Sequence, residues 1–139
     1  MIVADTGAIL ALLDADEEHH TILREIFEQQ RRAWILPWAI LPEVDYLALT
    51  HLGRRVQQAF LDDLVSGAFL VDWGVAADLQ RARELDRRYR SVQLGLVDTV
   101  VMAVAERRRA DAIVTLDERH FAAVKLRRHL KLLPRELTA

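Results

Sequence analysis

Short apolar runs alternate along the chain with longer segments in which apolar residues recur at helical spacing. Runs this short and this uniformly apolar are typical of strands buried in a parallel sheet. The predicted strands are 2–4, 33–36, 68–73, 112–114 and 130–133. The predicted helices are 8–13, a segment around 22–27, 38–52, 54–65, 75–90 and 96–109, with a short helical turn near Phe121.

This alternation predicts an α/β fold with a mostly parallel sheet of four to five strands, covered by helices on both faces. The length of 139 residues indicates one domain, 1–139, with one core. Residues 100–105 are apolar almost all round the helix, so the segment 96–109 should be buried. The helix 38–52 is also strongly apolar. It either completes the core or presents surface for a dimer or partner interface.

The amino-acid composition of the chain excludes some kinds of site and some classes of protein. The chain has no cysteine, which excludes disulfides and thiolate zinc sites and fits a cytoplasmic protein. No apolar run reaches membrane-spanning length, so no membrane association is expected. The net charge is −2, and a nucleic-acid partner would therefore need locally clustered arginine. The run Arg107-Arg108-Arg109 is expected to be the solvated end of a helix, where cations complement the dipole.

Four acidic residues fall where predicted strands end and helices begin. Asp5 leaves the first strand, Glu43 lies early in the helix after the second, Asp98 starts the buried helix, and Asp117 leaves the fourth strand. In a parallel sheet these positions lie at the carboxyl edge, where open α/β sheets bind ligands. The sequence therefore predicts that four carboxylates converge on one crevice.

Each acid also has a purely structural interpretation. Asp5 could cap a helix, Glu43 and Asp98 could complement helix dipoles, and Asp117 could start a turn. The structural interpretation fits Asp98 least well, because its sequence neighbours are apolar and a carboxylate in such surroundings needs a partner. A cluster of carboxylates without a nearby lysine in sequence suits a hard divalent cation, Mg²⁺ or Mn²⁺. That chemistry points to phosphodiester hydrolysis.

Four motifs, in this order and at this spacing, resemble the PIN-domain ribonucleases and above all the VapC toxins of bacterial VapBC toxin–antitoxin pairs. The resemblance covers essentially the whole chain. The motifs are IVADTGA at 2–8, LPEV at 41–44, LVDT at 96–99 with the alanine-rich helix that follows, and TLDERHF at 115–121.

The resemblance implies a three-layer α/β/α fold and a Mg²⁺- or Mn²⁺-dependent endoribonuclease. It also implies an inhibitory VapB-type antitoxin and commonly a homodimer. The implied metal ligands and catalytic residues are Asp5, Glu43, Asp98 and Asp117. The last acidic position varies in the family, where Asn also occurs.

The resemblance assigns supporting roles to Thr6 and Thr115, which match small hydroxyl positions beside the acids. Arg119 closely follows Asp117 and is the candidate RNA contact, because arginine binds phosphate through its bidentate fork. His120 lies within the last motif, but no catalytic role is expected for it. Two other functions stay open: a housekeeping PIN ribonuclease without an antitoxin, and a catalytically inactive PIN-fold binding module.

Overall fold

A computed structural model describes residues 1–29 and 34–137 of the chain. All neighbouring strands pair in parallel, in the order β3-β2-β1-β4-β5, which confirms the predicted α/β fold and its sheet of up to five strands. The strands are β1 (Ile2–Ala4), β2 (Trp34–Pro37), β3 (Leu70–Asp72), β4 (Ala112–Val114) and β5 (Lys131–Leu133).

The helices form two groups around this sheet. The first four pack on one another, with α1 against α2 and α3, and α3 against α4. In the other group α5 packs on α6, and α6 contacts β1 and β2. The helices are α1 (Thr6–Leu13), α2 (His20–Gln29), α3 (Leu41–Leu52), α4 (Arg54–Ser66), α5 (Ala76–Arg88), α6 (Gly95–Arg107) and α7 (Glu118–Ala123), with 3-10 turns at Trp38–Ile40 and Arg90–Val92. None of these described helices is long and apolar enough to cross a bilayer.

The core lies between the central strands and α6. Every residue of β1, β2 and β4 is buried, as expected of strands covered on both faces. In α6, seven consecutive residues from Thr99 to Ala105 are buried, which confirms the burial predicted from their apolar character.

Several element boundaries differ from the predictions by a few residues, and two of these differences have clear physical reasons. The helix predicted over 38–52 begins only at Leu41, after a 3-10 turn. Pro42 has no N–H to donate to the carbonyl of Trp38, and its ring would clash with that carbonyl in a continuous α-helix. Strand β3 begins at Leu70 rather than at 68, because the Ala68 N–H donates to the Asp63 carbonyl and belongs to the end of α4. The predicted strand residue Ala33 lies outside the described residues.

The arginines at the end of α6 are exposed, as predicted, but Arg107 and Arg108 also form ion pairs that the sequence did not predict. Arg107 donates through Nη2 to Asp72 Oδ1 (2.6 Å) and through Nε to Asp78 Oδ1 (2.8 Å), and Arg108 Nε donates to Asp72 Oδ2 (2.5 Å). The Asp72 and Asp78 side chains are only 3% exposed. Burial alone would raise the pKa of Asp72, but the hydrogen bonds from Arg107 and Arg108 hold it below its usual range. These ion pairs fasten α6 to β3 and α5.

Candidate metal centre

The candidate site lies at the carboxyl edge of the sheet, between β1 and β4. The chain proceeds from β1 through β2 to β3 on one side, and β4 and β5 lie on the other. This is a topological switch point, where the loops leaving adjacent strands diverge and leave a crevice. Asp5 leaves β1 and Thr115 leaves β4 at this point.

Asp5 is held rigidly at the base of the crevice. It is the N-cap of α1, and its Oδ1 accepts the backbone N–H of Thr6 at 2.8 Å. Its Oδ2 accepts the hydroxyl of Thr115 at 3.0 Å, and only 5% of Asp5 is exposed. Asp5 therefore is a helix cap, as its structural interpretation requires, and also presents a buried carboxylate at the switch point.

The Asp5 carboxyl titrates well above its ordinary range. Its pKa is raised to about 6, mainly by burial and then by the charge of Asp98, with Glu43 contributing further. The hydrogen bonds from Thr6 and Thr115 act in the opposite direction without cancelling this effect. Burial and the neighbouring carboxylates therefore both disfavour the charged form of Asp5.

Asp98, Asp117 and His120 form the tightest cluster at the site. His120 Nδ1 lies 2.7 Å from Asp98 Oδ2 and 3.0 Å from Asp117 Oδ2. One possible ligand atom from each residue lies within 4.8 Å of the others, and Asp5 and Glu43 lie outside this group. Asp98 comes from the first turn of α6, and Asp117 is the N-cap of α7. Three separate segments, counting Asp5, thus bring carboxylates to the same crevice.

Asp98 and Glu43 take part in this cluster in different ways. The Asp98 side chain is 15% exposed. Burial raises its pKa, the hydrogen bond from His120 lowers it, and the charges of Asp117 and Glu43 raise it again, so that the net shift is upward. Glu43 lies in the first turn of α3 and is exposed. Its carboxylate affects the site electrostatically, because its negative charge raises the pKa of both Asp5 and Asp98.

The two predicted supporting hydroxyls differ in their contacts. Besides donating to Asp5, Thr115 Oγ1 accepts the backbone N–H of Asp117 at 3.0 Å, so this side chain links the two acids. The Thr6 hydroxyl is buried and makes no hydrogen bond within the described chain. A buried hydroxyl without a partner beside a carboxylate cluster is a polar group that a bound ligand or water could satisfy.

Sequence reasoning did not predict that His120 belongs to this cluster. It predicted a role for Arg119, which makes no ion pair with the acids of the cluster in the described part of the chain. His120 follows Asp117 by three residues, its backbone N–H donates to Asp117 Oδ1 at 3.2 Å, and α7 turns its ring toward Asp98. The spacing to the N-cap was the available signal, because residues i and i+3 share a helix face. Arg119 is exposed, and no carboxylate within the described chain lies within 4.0 Å of its guanidinium.

The donor set fits a hard divalent cation. Carboxylate oxygens dominate it, with one imidazole nitrogen, and burial together with neighbouring carboxylates raises the pKa of both Asp5 and Asp98. The residues that could hold the ion are Asp5, Glu43, Asp98, Asp117 and His120. A second acidic group, Glu17, Glu18 and His19, is a surface turn whose contacts are local.

Comparison with known proteins places the chain among nucleases. The family model described as PIN domain matches residues 2–126. The curated protein Ribonuclease VapC26 of Mycobacterium tuberculosis is 32% identical over 124 residues, which span 89% of this chain and 92% of that protein.

Two solved structures share the fold. The crystal structure of Mycobacterium tuberculosis VapC20, described as a toxin that cleaves the Sarcin-Ricin loop, superposes with a TM-score of 0.80 at 20% identity, covering 93% of this chain and 99% of that one. A DNA-bound VapBC from Salmonella typhimurium superposes with a TM-score of 0.69 at 19% identity, covering 94% and 95%.

Proposed function

The chain belongs to the PIN-domain family, and we propose that it is a metal-dependent endoribonuclease that acts as the toxin of a VapBC toxin–antitoxin pair. The observation that carries this proposal is the meeting of Asp5, Asp98 and Asp117 at the switch point between β1 and β4. The relationship to a curated VapC ribonuclease supports the reaction class. We infer that residues 1–139 form one PIN domain, because β5, which lies beyond the matched segment, still pairs with β4.

We propose that Asp5, Glu43, Asp98 and Asp117 hold Mg²⁺ or Mn²⁺ and that this ion assists hydrolysis of an RNA phosphodiester bond. When bound, it would supply Lewis-acid stabilisation of the charge that develops on the phosphate oxygens. His120, already in contact with two of the carboxylates, adds a nitrogen donor that favours Mn²⁺ over Mg²⁺.

The remaining residues of the site position these acids and the RNA. Thr115 fixes Asp5 through its hydroxyl and Asp117 through its accepted N–H, and Thr6 fixes Asp5 through its backbone N–H. Such second contacts orient metal ligands and keep their geometry when the ion binds. Arg119, exposed and free of ion pairs within the described chain, is proposed to contact an RNA phosphate near the acids.

We further propose a VapB-type antitoxin, and a second copy of the chain, as protein partners in the cytoplasm. The apolar helix, for which core and partner interface were alternative interpretations, leaves large side chains exposed: Tyr46 is 67% and Leu49 is 47% exposed on α3. The neighbouring α4 exposes Leu61 and Val65, which is 90% exposed. Apolar side chains exposed on two packed helices form the kind of surface that a partner covers.

The direct test of the proposed reaction is metal-dependent cleavage. Purified protein should cleave RNA in Mn²⁺ or Mg²⁺, lose this activity completely in EDTA, and recover it when the metal is restored, because the ion would stabilise the charge that develops on the phosphate oxygens during hydrolysis. Cleavage would be followed by mapping the RNA ends produced. Activity that persists in chelator would contradict the metal mechanism, and failure to cleave RNA at any metal concentration would favour an inactive binding module.

The toxin assignment predicts a growth phenotype. Expression of the protein alone should arrest a bacterial host, and co-expression of the antitoxin encoded beside it should relieve the arrest, because the antitoxin would cover the ribonuclease. Colony counts after induction measure both effects, with the uninduced culture as control. Normal growth despite abundant protein that cleaves RNA in vitro would instead favour a housekeeping ribonuclease.

A further inference from the structure

The chain distributes its charge unevenly along the sequence. Residues 1–53 carry 3 Lys and Arg against 9 Asp and Glu, whereas residues 81–139 carry 14 against 8. The first segment supplies α1, α2 and α3, and the last supplies α6, α7 and most of α5. A polyanion that approaches the acidic crevice is therefore repelled by elements on one flank and attracted by elements on the other.

A short basic segment belongs to the attractive flank. It comprises Arg87, Arg88, Tyr89 and Arg90, at the end of α5 and the start of the following 3-10 turn. The three arginines are exposed, and none lies within 4.0 Å of a carboxylate of the described chain. Other arginines of α5 and α6 are paired: Arg81 forms an ion pair with Glu106, and Arg107 forms one with Asp78. The basic segment thus keeps its charges available.

The basic segment is fastened to both elements that carry the acid cluster. Beside it, Asp86 Oδ1 accepts the backbone N–H of Gly95 at 3.1 Å, three residues before Asp98 in α6. On the other side, the Tyr89 hydroxyl accepts the backbone N–H of Lys125 at 3.1 Å, two residues after α7 ends. Since α6 carries Asp98 and α7 carries His120, the segment is held against the same end of the fold as the site.

Tyr89 gives this segment a fixed geometry. It is half-buried and packs against the core, and the Arg88 guanidinium lies 5.7 Å from the centroid of its ring. An arginine positioned over an aromatic ring is pre-organised for a planar, bidentate contact with phosphate. Arg87 and Arg88 also complement the dipole of α5, but Arg90 lies beyond the helix, where that explanation does not reach.

We propose that Arg87, Arg88 and Arg90 bind the phosphate backbone of single-stranded RNA next to the scissile bond. This proposal rests on the proposed ribonuclease function and identifies a surface that the substrate strand contacts beside the site. Such contacts position the RNA without reading its sequence. They also offset the repulsion between the substrate and the carboxylates, which a single cation reduces but does not remove.

The test is RNA binding by a triple variant and a matched control in the otherwise unaltered chain. The test variant is Arg87→Gln/Arg88→Gln/Arg90→Gln. The control, Arg54→Gln/Arg55→Gln/Lys131→Gln, removes three exposed cations that also lack ion pairs in the described structure. Arg54 opens α4, beyond the far end of α3, whose axis from Glu43 to Leu52 spans about 14 Å, and Lys131 opens β5 at the amino edge.

Binding would be measured by fluorescence anisotropy with a mixed-sequence single-stranded RNA in EDTA, so that cleavage does not interfere. The test variant should bind about tenfold more weakly at moderate salt, and the slope of log Kd against log salt should shrink by about 2, as expected for three lost phosphate contacts on a single strand. The control should stay within about twofold of the unaltered chain, because its cations lie away from the path of the RNA.

Each result separates this proposal from the proposed function. RNA affinity that is unchanged in the test variant, or reduced equally in the control, would overturn the RNA surface even if the protein cleaves RNA. Weakened binding confined to the test variant would support the surface even if no cleavage is found. Unchanged RNA affinity together with lost co-purification of the antitoxin would overturn the proposal and assign the segment to that protein partner.

Discussion

Replacing Asp5 with asparagine is expected to lower RNA cleavage at least about a hundredfold, because even outer contacts of metal ligands contribute on the order of 10–100-fold. Asparagine keeps the cap of α1, since its Oδ1 can still accept the Thr6 N–H, and the Thr115 hydroxyl can rotate to accept from the new amide. The fold should therefore survive while the charge is lost. Initial rates in saturating Mn²⁺ measure the effect.

The same substitution should stabilise the metal-free protein at neutral pH. The folded-state pKa of Asp5 is about 6 against an ordinary value of 3.8, so the folded protein binds this proton more tightly than the unfolded chain. The free energy of unfolding therefore falls as pH rises from about 4 to 6, and the cost above pH 6 is roughly 3 kcal/mol at 1.36 kcal/mol per pKa unit. The Asp5→Asn substitution removes this cost, so the variant should melt higher than the unaltered protein at pH 7.5 in EDTA and lose the difference near pH 4.

A surface acid provides the control for both measurements. Asp16→Asn removes one exposed charge from the turn between α1 and α2, and should change neither cleavage nor the pH dependence of melting. If Asp5→Asn cleaves as well as Asp16→Asn, Asp5 is only a helix cap. If its metal-free melting temperature falls at neutral pH, the charge of Asp5 is compensated within the protein and the electrostatic argument for the ion fails.

Replacing Arg107 with methionine should be the most damaging single change to stability among the charged residues considered. Methionine keeps the aliphatic length but leaves Asp72 and Asp78, each 3% exposed, without their shared guanidinium. Breaking a buried ion pair by removing one partner costs about 3–5 kcal/mol. Because Arg107 is itself partly exposed and Arg108 still contacts Asp72, a loss of about 3 kcal/mol is expected, or roughly 10 °C in melting temperature.

An exposed ion pair provides the control, because it shows how much a solvent-exposed arginine contributes to the free energy of unfolding. Arg24→Met breaks the solvent-exposed pair with Glu28 on α2 and should cost about 0.5 kcal/mol or less. Urea unfolding of both variants at pH 7 compares them. The Asp72 pKa is lowered in the folded protein, so its stabilisation is present above pH 4 and disappears as pH falls further. In Arg107→Met this acid-dependent loss should shrink. A cost no greater than that of Arg24→Met would contradict the interpretation of the Asp72–Arg107–Asp78 contacts as a fastening of the core.

The sequence by itself determined the fold and the edge at which the site lies. Strand residues buried on both faces must be apolar throughout, and apolar runs broken at Asp5 and at Thr115 therefore marked the ends of β1 and β4. The parallel α/β fold predicted from these patterns is confirmed, and so is the PIN family that the four motifs resemble. The position of Asp5 could be predicted because it depends on one local boundary, where a strand ends and a capped helix begins.

Only the tertiary structure decided which side chains meet. His120 contacts Asp98 across 22 residues, and Arg107 contacts Asp72 across 35, although neither contact leaves a periodic signal in the sequence. Hydropathy reports the face that an element buries, but a contact between two polar tips depends on how the helices cross and on which rotamers the packing permits. For that reason His120 was left out of the site, and the ion pairs of the exposed arginines at the end of α6 were not predicted. The same limit applies to Tyr89, whose hydroxyl anchors the basic segment to the backbone of Lys125, 36 residues away.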